Sequence, residues 1–442
     1  LTPKKDKYSH RPKIYGIVLS IISESTDMTE HVAGNGLLNR RGLLKATGAG
    51  LAGGVLMPVM APVSAAEDWM TTSGAPMDEY GAPSKHARLK RVNIGAHPYG
   101  PGAGSSSTPL EKLNGTITPN SLHFERHHSG IPDIDPARHT LTIYGETNKS
   151  LQFSYEDLLA YPMETHTYFL ECSGNSYSNV IFPEAADKTV GELNGLVSCS
   201  EWTGVPLHYL LDEAGLNSNA NWIVGEGADA ASLTRSIPMK IATKNVMIAL
   251  FQNGEPLRPA QGYPMRLFVP GSEGNISVKW LQNIKVQKTA AYTKDETSKY
   301  SDLHVDGKAD MFSLEMGVKS LITSPSGKMK LNRKGVYEVS GLAWSGAGGI
   351  NQVEVSADGG NSWATAALQS EHRNLSLMRF RIPWRWEGQP AVLQSRATDD
   401  KGNVQPTRAA ALAKYSKSNV YHYNGTQSWQ VTQAGVVKNV YA

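Results

Sequence analysis

The chain has 442 residues, more than a single hydrophobic core usually fills, so we expect two globular domains with extensions. Hydrophobic residues make up 40% of it and charged residues 19%, which excludes a chain that is disordered throughout. Eight of its 43 Lys and Arg residues lie within the first 66 positions, so the remainder is nearly neutral and offers no basic surface for nucleic acid.

The first predicted element is an export leader over residues 1–66. Arg40 and Arg41 form a twin arginine, a weakly apolar and glycine-rich stretch follows, and residues 63–65 resemble a small-residue cleavage site. Because glycines dilute the apolar stretch, we do not expect a membrane anchor. We predict export to the periplasm in the folded state by the twin-arginine route, with residues 1–27 lying upstream of the natural protein.

Composition divides the rest of the chain into an arm and two domains. Residues 67–120 are rich in Gly, Pro and Ser and are predicted to form an extended arm. Over residues 121–310 short apolar runs alternate with turns and with helical stretches such as YEDLLAYP and PLHYLLDEAG, which indicates an α+β domain. Residues 311–442 alternate apolar and polar positions as in an immunoglobulin-like β-sandwich, and Asp358-Gly359-Gly360 supplies a hairpin turn.

Tryptophans of the second domain allow two interpretations. They can be core or sheet-face aromatics, or they can form a platform that binds sugars. The first interpretation is the simpler one for all four residues: Trp344, Trp363, Trp384 and Trp386.

The two cysteines, Cys172 and Cys199, also leave two interpretations open. In an exported protein they can form one structural disulfide, and the chain would then be a secreted binding protein without catalytic activity. Alternatively, Cys172 follows the apolar run TYFL and precedes Ser-Gly-Asn. This places its thiol at the end of a buried strand, where backbone amides stabilise a thiolate that can bind a metal.

Two further segments carry residues suited to an anionic ligand. Arg126, His127 and His128 precede a proline-containing turn, while Arg266 and Lys279 stand near glycine-rich turns where cations and amides can hold a phosphate. Each segment can instead be structural, as surface histidines or as a buried arginine that pairs with a carboxylate. The sequence has neither an HExxH nor a paired CxxC motif, which disfavours zinc.

Taken in order, these segments resemble the sulfite oxidase family of molybdenum enzymes over nearly the whole chain after the leader. HFERHH resembles the family's cofactor-binding segment, ECSGN its Cys-x-Gly-Asn metal-ligand motif, and EGAD its Asp-containing loop. NGEPLRPAQGYPMRLFVPG, followed by VKW, resembles its most recognisable stretch, and AWSGAGGINQVEVSADGGNSW its immunoglobulin-like dimerisation domain. The resemblance implies an oxidoreductase that holds oxo-molybdenum on one molybdopterin, with no haem in this chain.

The resemblance also implies a role for each matching residue. Cys172 would be the thiolate ligand of molybdenum, Arg126 would contact a substrate oxygen, and Tyr300 would be the active-site tyrosine. The residues expected to contact the cofactor and its phosphate are Phe124, Arg126, His128, Cys172, Asp229, Gln261, Arg266, Ser277 and Lys279.

Departures from the family pattern bear on the substrate. Gln261 stands where the family has a histidine, Ser176 and Tyr177 where sulfite-oxidising members have two arginines, and Asn424 where they have another near the C-terminus. A charge-assisted contact contributes roughly 1.5–3 kcal/mol, so losing two weakens sulfite binding by a few orders of magnitude. We therefore expect a different sulfur substrate, and the pattern is most similar to the molybdenum subunit of the sulfane dehydrogenases of thiosulfate-oxidising Sox systems.

That similarity implies partners for the chain. The substrate would be a sulfane or persulfide sulfur on a cysteine of a carrier protein, and a c-type cytochrome subunit would accept the electrons. The second domain would form a homodimer core or join a hetero-oligomer. The alternative enzymes are a sulfite dehydrogenase and a periplasmic reductase of oxidised methionine, although such reductases typically lack the immunoglobulin-like domain.

Overall fold

The computed structural model describes residues 31–39, 67–97, 100–369, 371–416, 418–419 and 421–442. The twin arginine and the cleavage site expected at 63–65 lie outside the described residues. No helix within the described part of the chain is both long enough and apolar enough to cross a bilayer.

A three-stranded sheet carries the first segment of the site, and two of its strands lie within the predicted arm of residues 67–120. Residues 67–90, which precede this sheet, are exposed and contain the short helix Asp68–Thr71. In sheet order the strands are Val92–Ala96, Gly104–Ser107 and Glu125–His127. Arg126 pairs with Ser105 in this sheet, so the backbone of the Arg-His-His segment is fixed by strand pairing.

The α+β region is built on two five-stranded sheets. In sheet order the first contains Thr234–Pro238, Trp222–Gly227, Leu281–Gln287, Thr140–Gly145 and Leu151–Ser154. The second contains Glu255–Pro256, Met247–Gln252, Val197–Pro206 and Glu164–Glu171, with Arg266–Phe268 also paired to Met247–Gln252. The strand Glu164–Glu171 ends immediately before Cys172, which confirms the predicted strand end.

Short helices alternate with the strands along the chain. They are Tyr155–Leu159, Ser178–Ile181, Val190–Asn194, Leu207–Ala214, Met239–Ala242 and Lys294–Thr297, with 3-10 turns at Leu110–Lys112, Asn120–Leu122, Pro136–Arg138 and Pro259–Gln261. Both predicted helical stretches are confirmed. Ser154 and Asp157 form a reciprocal capping box that starts the first of them. The helix Leu207–Ala214 buries its apolar side in the core that also contains Leu141, Ile223 and Ile284 of the first sheet.

The C-terminal region is a sandwich of two sheets. In sheet order one contains His31–Ala33, Leu37–Leu38, Met378–Trp386, Gly335–Trp344 and Lys319–Ser324, with Ala367–Leu368 also paired to Met378–Trp386. The other contains Ala364–Thr365, Ile350–Ser356, Ala391–Asp399, Ser428–Val431 and Val437–Val440. A short strand pair, Asp302–Leu303 with Ala309–Asp310, precedes the sandwich, and the helix Arg408–Lys414 lies within its sequence.

The inner faces of the two sheets enclose an apolar core. Trp344, Trp384 and Trp386 are buried in it, which confirms the core interpretation for these three residues. Trp363 is half-buried instead, with the guanidinium carbon of Arg396 4.2 Å from its ring centroid. The predicted Asp-Gly-Gly turn joins Ile350–Ser356 to Ala364–Thr365, and both of its glycines have the positive φ that favours this residue type.

Candidate active site

The thiol of Cys172 is carried by a tight turn at the end of the strand Glu164–Glu171. The amide of Cys172 donates to the carbonyl of Leu196 (2.9 Å), and the carbonyl of Cys172 accepts from the amide of Asn175 (2.9 Å). The side-chain oxygen of Asn175 accepts in turn from the amide of Leu196 (3.1 Å). The turn is therefore bonded on both sides to the neighbouring chain segment, which fixes the position of the thiol.

Two cavities meet at Cys172. The inner one has a volume of about 690 Å³ and the outer one a volume of about 2710 Å³, and both volumes include space that is open to solvent. Five residues line both cavities: Arg126, His128, Cys172, Leu233 and Tyr300. A ligand in either cavity can therefore contact the same five side chains.

The inner cavity carries buried positive charge. Arg266 is 2% exposed and donates to the carbonyls of Gln261 (3.1 Å) and Ser277 (2.7 Å). Lys279 donates from Nζ to the carbonyls of Arg126 (3.1 Å) and Ala260 (3.2 Å). Among the described residues, Arg126, Arg266 and Lys279 make no ion pair with a carboxylate.

Burial shifts the pKa values of these cations. It lowers the pKa of Arg266 to about 9 and, together with the charge of Arg266, lowers the pKa of Lys279 well below its usual value. Isolated buried charges of this kind are unfavourable unless an opposite charge compensates them. The inner cavity is therefore suited to an anionic ligand.

The side chains next to the thiol are held neutral by burial. Burial lowers the pKa of His128 to about 3, and it raises the pKa of Tyr300 above its usual value. The hydroxyl of Tyr300 lies 2.9 Å from Nε2 of His128. Burial also raises the pKa of the Cys172 thiol, against the charge of Arg126, so this thiol needs a further cation if it is to be a thiolate.

The outer cavity leads from the thiol to the surface. Tyr177, which is 42% exposed, lines it together with Ser173 and Gly174 of the turn. Lys188, Lys294 and Lys299 add positive charge to its wall, and Ile94 of the N-terminal sheet lies on the same wall. The ring of Tyr421 packs against Tyr300, with 5.4 Å between the ring centroids.

Comparison with known proteins identifies the family. Residues 128–294 match the oxidoreductase molybdopterin binding domain, and residues 311–428 match the Mo-co oxidoreductase dimerisation domain. A solved structure, the sulfane dehydrogenase SoxCD from Paracoccus pantotrophus, is 41% identical with a TM-score of 0.82, covering 85% of this chain and 97% of that chain. The chain belongs to the sulfite oxidase family. Its cofactor is accordingly molybdenum held by molybdopterin.

Other relatives are less similar in sequence. Mitochondrial sulfite oxidase from Mus musculus is 31% identical over 373 residues, covering 78% of this chain and 66% of the relative. Nitrate reductase [NAD(P)H] from Hordeum vulgare is 29% identical over 367 residues, covering 73% of this chain and 40% of the relative. The chain thus spans just under two thirds of the mouse enzyme and less than half of the barley enzyme.

The residues present fit the cofactor of the sulfite oxidase family. Arg266 and Lys279, which make no ion pair with a carboxylate among the described residues, suit the phosphate of molybdopterin. Within the described ranges no group of three or more His, Cys, Asp or Glu side chains could hold a metal ion. A metal bound at Cys172 therefore needs ligands from the cofactor itself, and the sulfur atoms of a molybdopterin would provide them.

The structure brings together most of the residues predicted from the sequence. The inner cavity is lined by Phe124, Arg126, His128, Cys172, Asp229, Gln261, Arg266, Ser277, Lys279 and Tyr300. Gln261 is not free within it, because its side-chain nitrogen donates to the carbonyl of Phe124 (3.0 Å). Asp229 accepts from the hydroxyl of Ser129 (2.9 Å). These neighbours fix both side chains at the edge of the cavity.

Of the two residues expected near the substrate, Tyr177 and Asn424, only one lines a cavity at Cys172. Tyr177 lines the outer cavity, but Asn424 lines neither cavity, and its side-chain nitrogen donates to the carbonyl of Val318 (3.1 Å).

The two cysteines are not joined, and Cys199 is buried in the sheet opposite Phe169. The structure therefore contradicts the disulfide on which the binding-protein alternative depends.

Sequence reasoning missed a buried ionic network beneath the site. Arg235 is fully buried, and it pairs with Glu273 (2.8 Å) and Glu296 (3.2 Å). Its guanidinium carbon lies 4.9 Å from the ring centroid of Tyr300, so the network supports that side chain. His422 pairs with Asp302 (2.7 Å) in the same region. No local motif marks any of these residues, because each partner comes from a distant part of the chain.

Proposed function

We propose that this chain is the molybdenum subunit of a periplasmic sulfane dehydrogenase that oxidises a sulfane or persulfide sulfur on a carrier protein. The observation that supports the proposal is the meeting of two cavities at Cys172, with Arg126 and Tyr300 at the junction. The similarity to a sulfane dehydrogenase over 97% of that chain supports the substrate class. Export by the twin-arginine route and transfer of electrons to a c-type cytochrome subunit belong to the same proposal.

Each side chain then has a role in binding or orientation. Cys172 ligates molybdenum, and Arg266, Lys279, Ser277 and Asp229 hold the pterin and its phosphate in the inner cavity. Phe124, Gln261 and His128 complete this contact surface. When bound, the cofactor supplies oxygen-atom transfer coupled to two-electron redox chemistry.

The residues of the chain itself act on the substrate. Arg126 stabilises negative charge that develops on the oxygen transferred to the substrate sulfur, because its guanidinium group lies where both cavities meet. Tyr300 orients the substrate through its hydroxyl, which neutral His128 holds in place. Because both groups are neutral, neither adds a charge to the immediate surroundings of the thiol.

The dimensions of the outer cavity favour a carrier over a free anion. Sulfite is a four-atom ion, whereas the outer cavity, about 2710 Å³ including the part open to solvent, leaves room for an extended peptide to reach Cys172. Tyr177 projects into this cavity where sulfite-oxidising members of the family have an arginine. The alternative of a sulfite dehydrogenase would require other groups to hold the anion.

The metal assignment is tested by Cys172→Ser with Cys199→Ser as its control. We expect about one molybdenum per chain in the wild-type protein, loss of molybdenum from the first variant, and retention in the second. Both variants should keep the overall fold in circular dichroism. A Cys172→Ser variant that retains molybdenum and full activity would refute the assignment.

The substrate is tested by comparing turnover on sulfite with turnover on a sulfur-loaded carrier protein, using cytochrome c as electron acceptor. We expect the carrier to be the better substrate. The variant Tyr177→Arg should raise kcat/KM for sulfite by about 10- to 100-fold, because it adds a charge-assisted contact in the outer cavity. Rapid sulfite oxidation by the wild-type protein would favour the sulfite dehydrogenase instead.

A further inference from the structure

The residue before the thiol is a buried carboxylate that receives three hydrogen bonds. Glu171 is 1% exposed, and its Oε1 accepts from Asn175 Nδ2 (2.9 Å) and from Lys319 Nζ (3.0 Å). Its Oε2 accepts from the indole nitrogen of Trp344 (2.6 Å). Asn175 belongs to the turn that carries Cys172, whereas Lys319 and Trp344 belong to the sandwich and lie opposite each other in it. The carboxylate therefore links the two regions.

The ammonium group of Lys319 contacts both sides of the same turn. Its Nζ donates to Glu171 before Cys172 and to the hydroxyl of Ser176 after it (2.8 Å), and its third contact is the carbonyl of Tyr423 (3.0 Å). An ammonium group has three N–H donors, so all of them are used. One side chain of the sandwich thus holds the residues that flank Cys172.

The backbone at Ser176 shows why such contacts are needed. Ser176 has φ of +69°, in the left-handed region that residues other than glycine rarely adopt. Its hydroxyl donates to Asn194 Oδ1 (2.5 Å) while it accepts from Lys319. A strained conformation persists only where its surroundings fix it, and these two contacts do so.

We infer that Lys319 and Glu171 are positioning residues for the thiol of Cys172, so that the sandwich completes the molybdenum site as well as packing beside it. The inference rests on the proposed role of Cys172 as the metal ligand. A buried ion pair is seldom more stabilising than apolar side chains of the same volume, so stability alone does not explain this pair. The pair is explained by the contacts of Lys319 with Glu171 and Ser176, which lie on either side of Cys172 in the chain.

Three variants separate positioning from stability. Lys319→Met and Glu171→Gln each break the pair, whereas the double variant Glu171→Gln/Lys319→Met leaves no unpaired charge but lacks the bridge to Ser176. Arg379→Met is the matched control, because Arg379 is also a buried cation of the sandwich, 2% exposed, and its hydrogen bonds go to Thr323 and to the carbonyls of Leu113 and Gly115. None of these control contacts involves the turn.

The measurement is the rate at which molybdenum leaves the purified holoenzyme, taken at a fixed interval below the melting temperature of each variant. This removes differences in global stability. Groups that orient a metal ligand typically change metal affinity about 10- to 100-fold. We therefore expect the double variant to lose molybdenum about 10- to 100-fold faster than both the wild type and Arg379→Met. Its X-ray absorption spectrum at the molybdenum K-edge should show altered Mo–S scattering.

The possible results separate this inference from the proposed function. A wild-type protein without molybdenum overturns the proposed function and this inference with it. A wild-type protein with molybdenum, together with a double variant that matches Arg379→Met in loss rate and spectrum, overturns the positioning role alone.

Discussion

Replacing Arg266 by Met tests whether the inner cavity is built for an anion. Lowering the pKa of this buried group from 12.5 to about 9 corresponds to roughly 5 kcal/mol of solvation lost by the charged form. Its hydrogen bonds to the carbonyls of Gln261 and Ser277 stabilise the charged guanidinium by roughly 1.5–3 kcal/mol each. The two effects nearly cancel, so the free energy of unfolding of the cofactor-free protein should change by less than about 2 kcal/mol.

The loaded protein should respond differently. If Arg266 holds the phosphate of the cofactor as proposed, the variant lacks that charge-assisted contact, and nothing replaces it. A loss of roughly 1.5–3 kcal/mol weakens binding by about 10- to 150-fold. Denaturant unfolding of protein from cells that cannot make molybdopterin measures the first quantity, and the rate of molybdenum loss from the holoenzyme measures the second.

Arg235→Met is the matched control for this experiment. Arg235 is also fully buried, but it pairs with Glu273 and Glu296, so its removal leaves two buried carboxylates without their cation. This loss should lower the free energy of unfolding by roughly 3–5 kcal/mol, with or without the cofactor. If Arg266→Met destabilises the cofactor-free protein as much as this control, or if it retains molybdenum like the wild type, the reasoning is wrong.

Two further variants test the surroundings of the thiol. Tyr300→Phe removes the hydroxyl beside His128 and should lower kcat about 10- to 100-fold at unchanged molybdenum content; an unchanged kcat would count against a role for the hydroxyl. His422→Asn tests the ionic network, because Asp302 and Glu273, acting against burial, raise the pKa of His422 to about 10. Since this pKa lies above the unfolded value of about 6.5, the stabilising contribution is complete below about pH 6.5 and is lost as the pH rises to about 10. The melting temperature should fall less over that pH range in the variant than in the wild type. Equal falls in the two proteins would contradict the raised pKa of His422.

The sequence predicts those features that short-range patterns encode. The strand before Cys172, the helices Tyr155–Leu159 and Leu207–Ala214, and the hairpin at Asp358 all follow from local periodicity or turn chemistry. Packing of tryptophan indoles between the sandwich sheets follows from alternation along the strands. In each case the decisive residues lie within about ten positions of one another.

Contacts between distant residues could not be predicted in this way. Lys319 and Glu171 are separated by 148 positions, and no local pattern pairs them. Ser176 and Tyr177 form one departure from the family pattern in the sequence, yet the structure separates them: Ser176 is bound to Lys319, whereas Tyr177 is 42% exposed. Near the C-terminus, the amide of His422 donates to the carbonyl of Ser173 (2.9 Å), a contact that depends on how the chain returns to the site.

The short segment that precedes the twin arginine closes one edge of the sandwich. Leu37 pairs with Trp384 and is fully buried, while the indole nitrogen of Trp384 donates to the carbonyl of Asn35 (2.7 Å). If export removes the leader, the strand Met378–Trp386 loses its pairing with Leu37. The indole nitrogen of Trp384 then also loses its hydrogen-bond acceptor. A sheet edge with unpaired backbone groups readily accepts another strand. If the leader is removed after translocation, this sheet edge becomes free to pair with a strand of another chain only then. Such association could no longer hinder passage through the membrane.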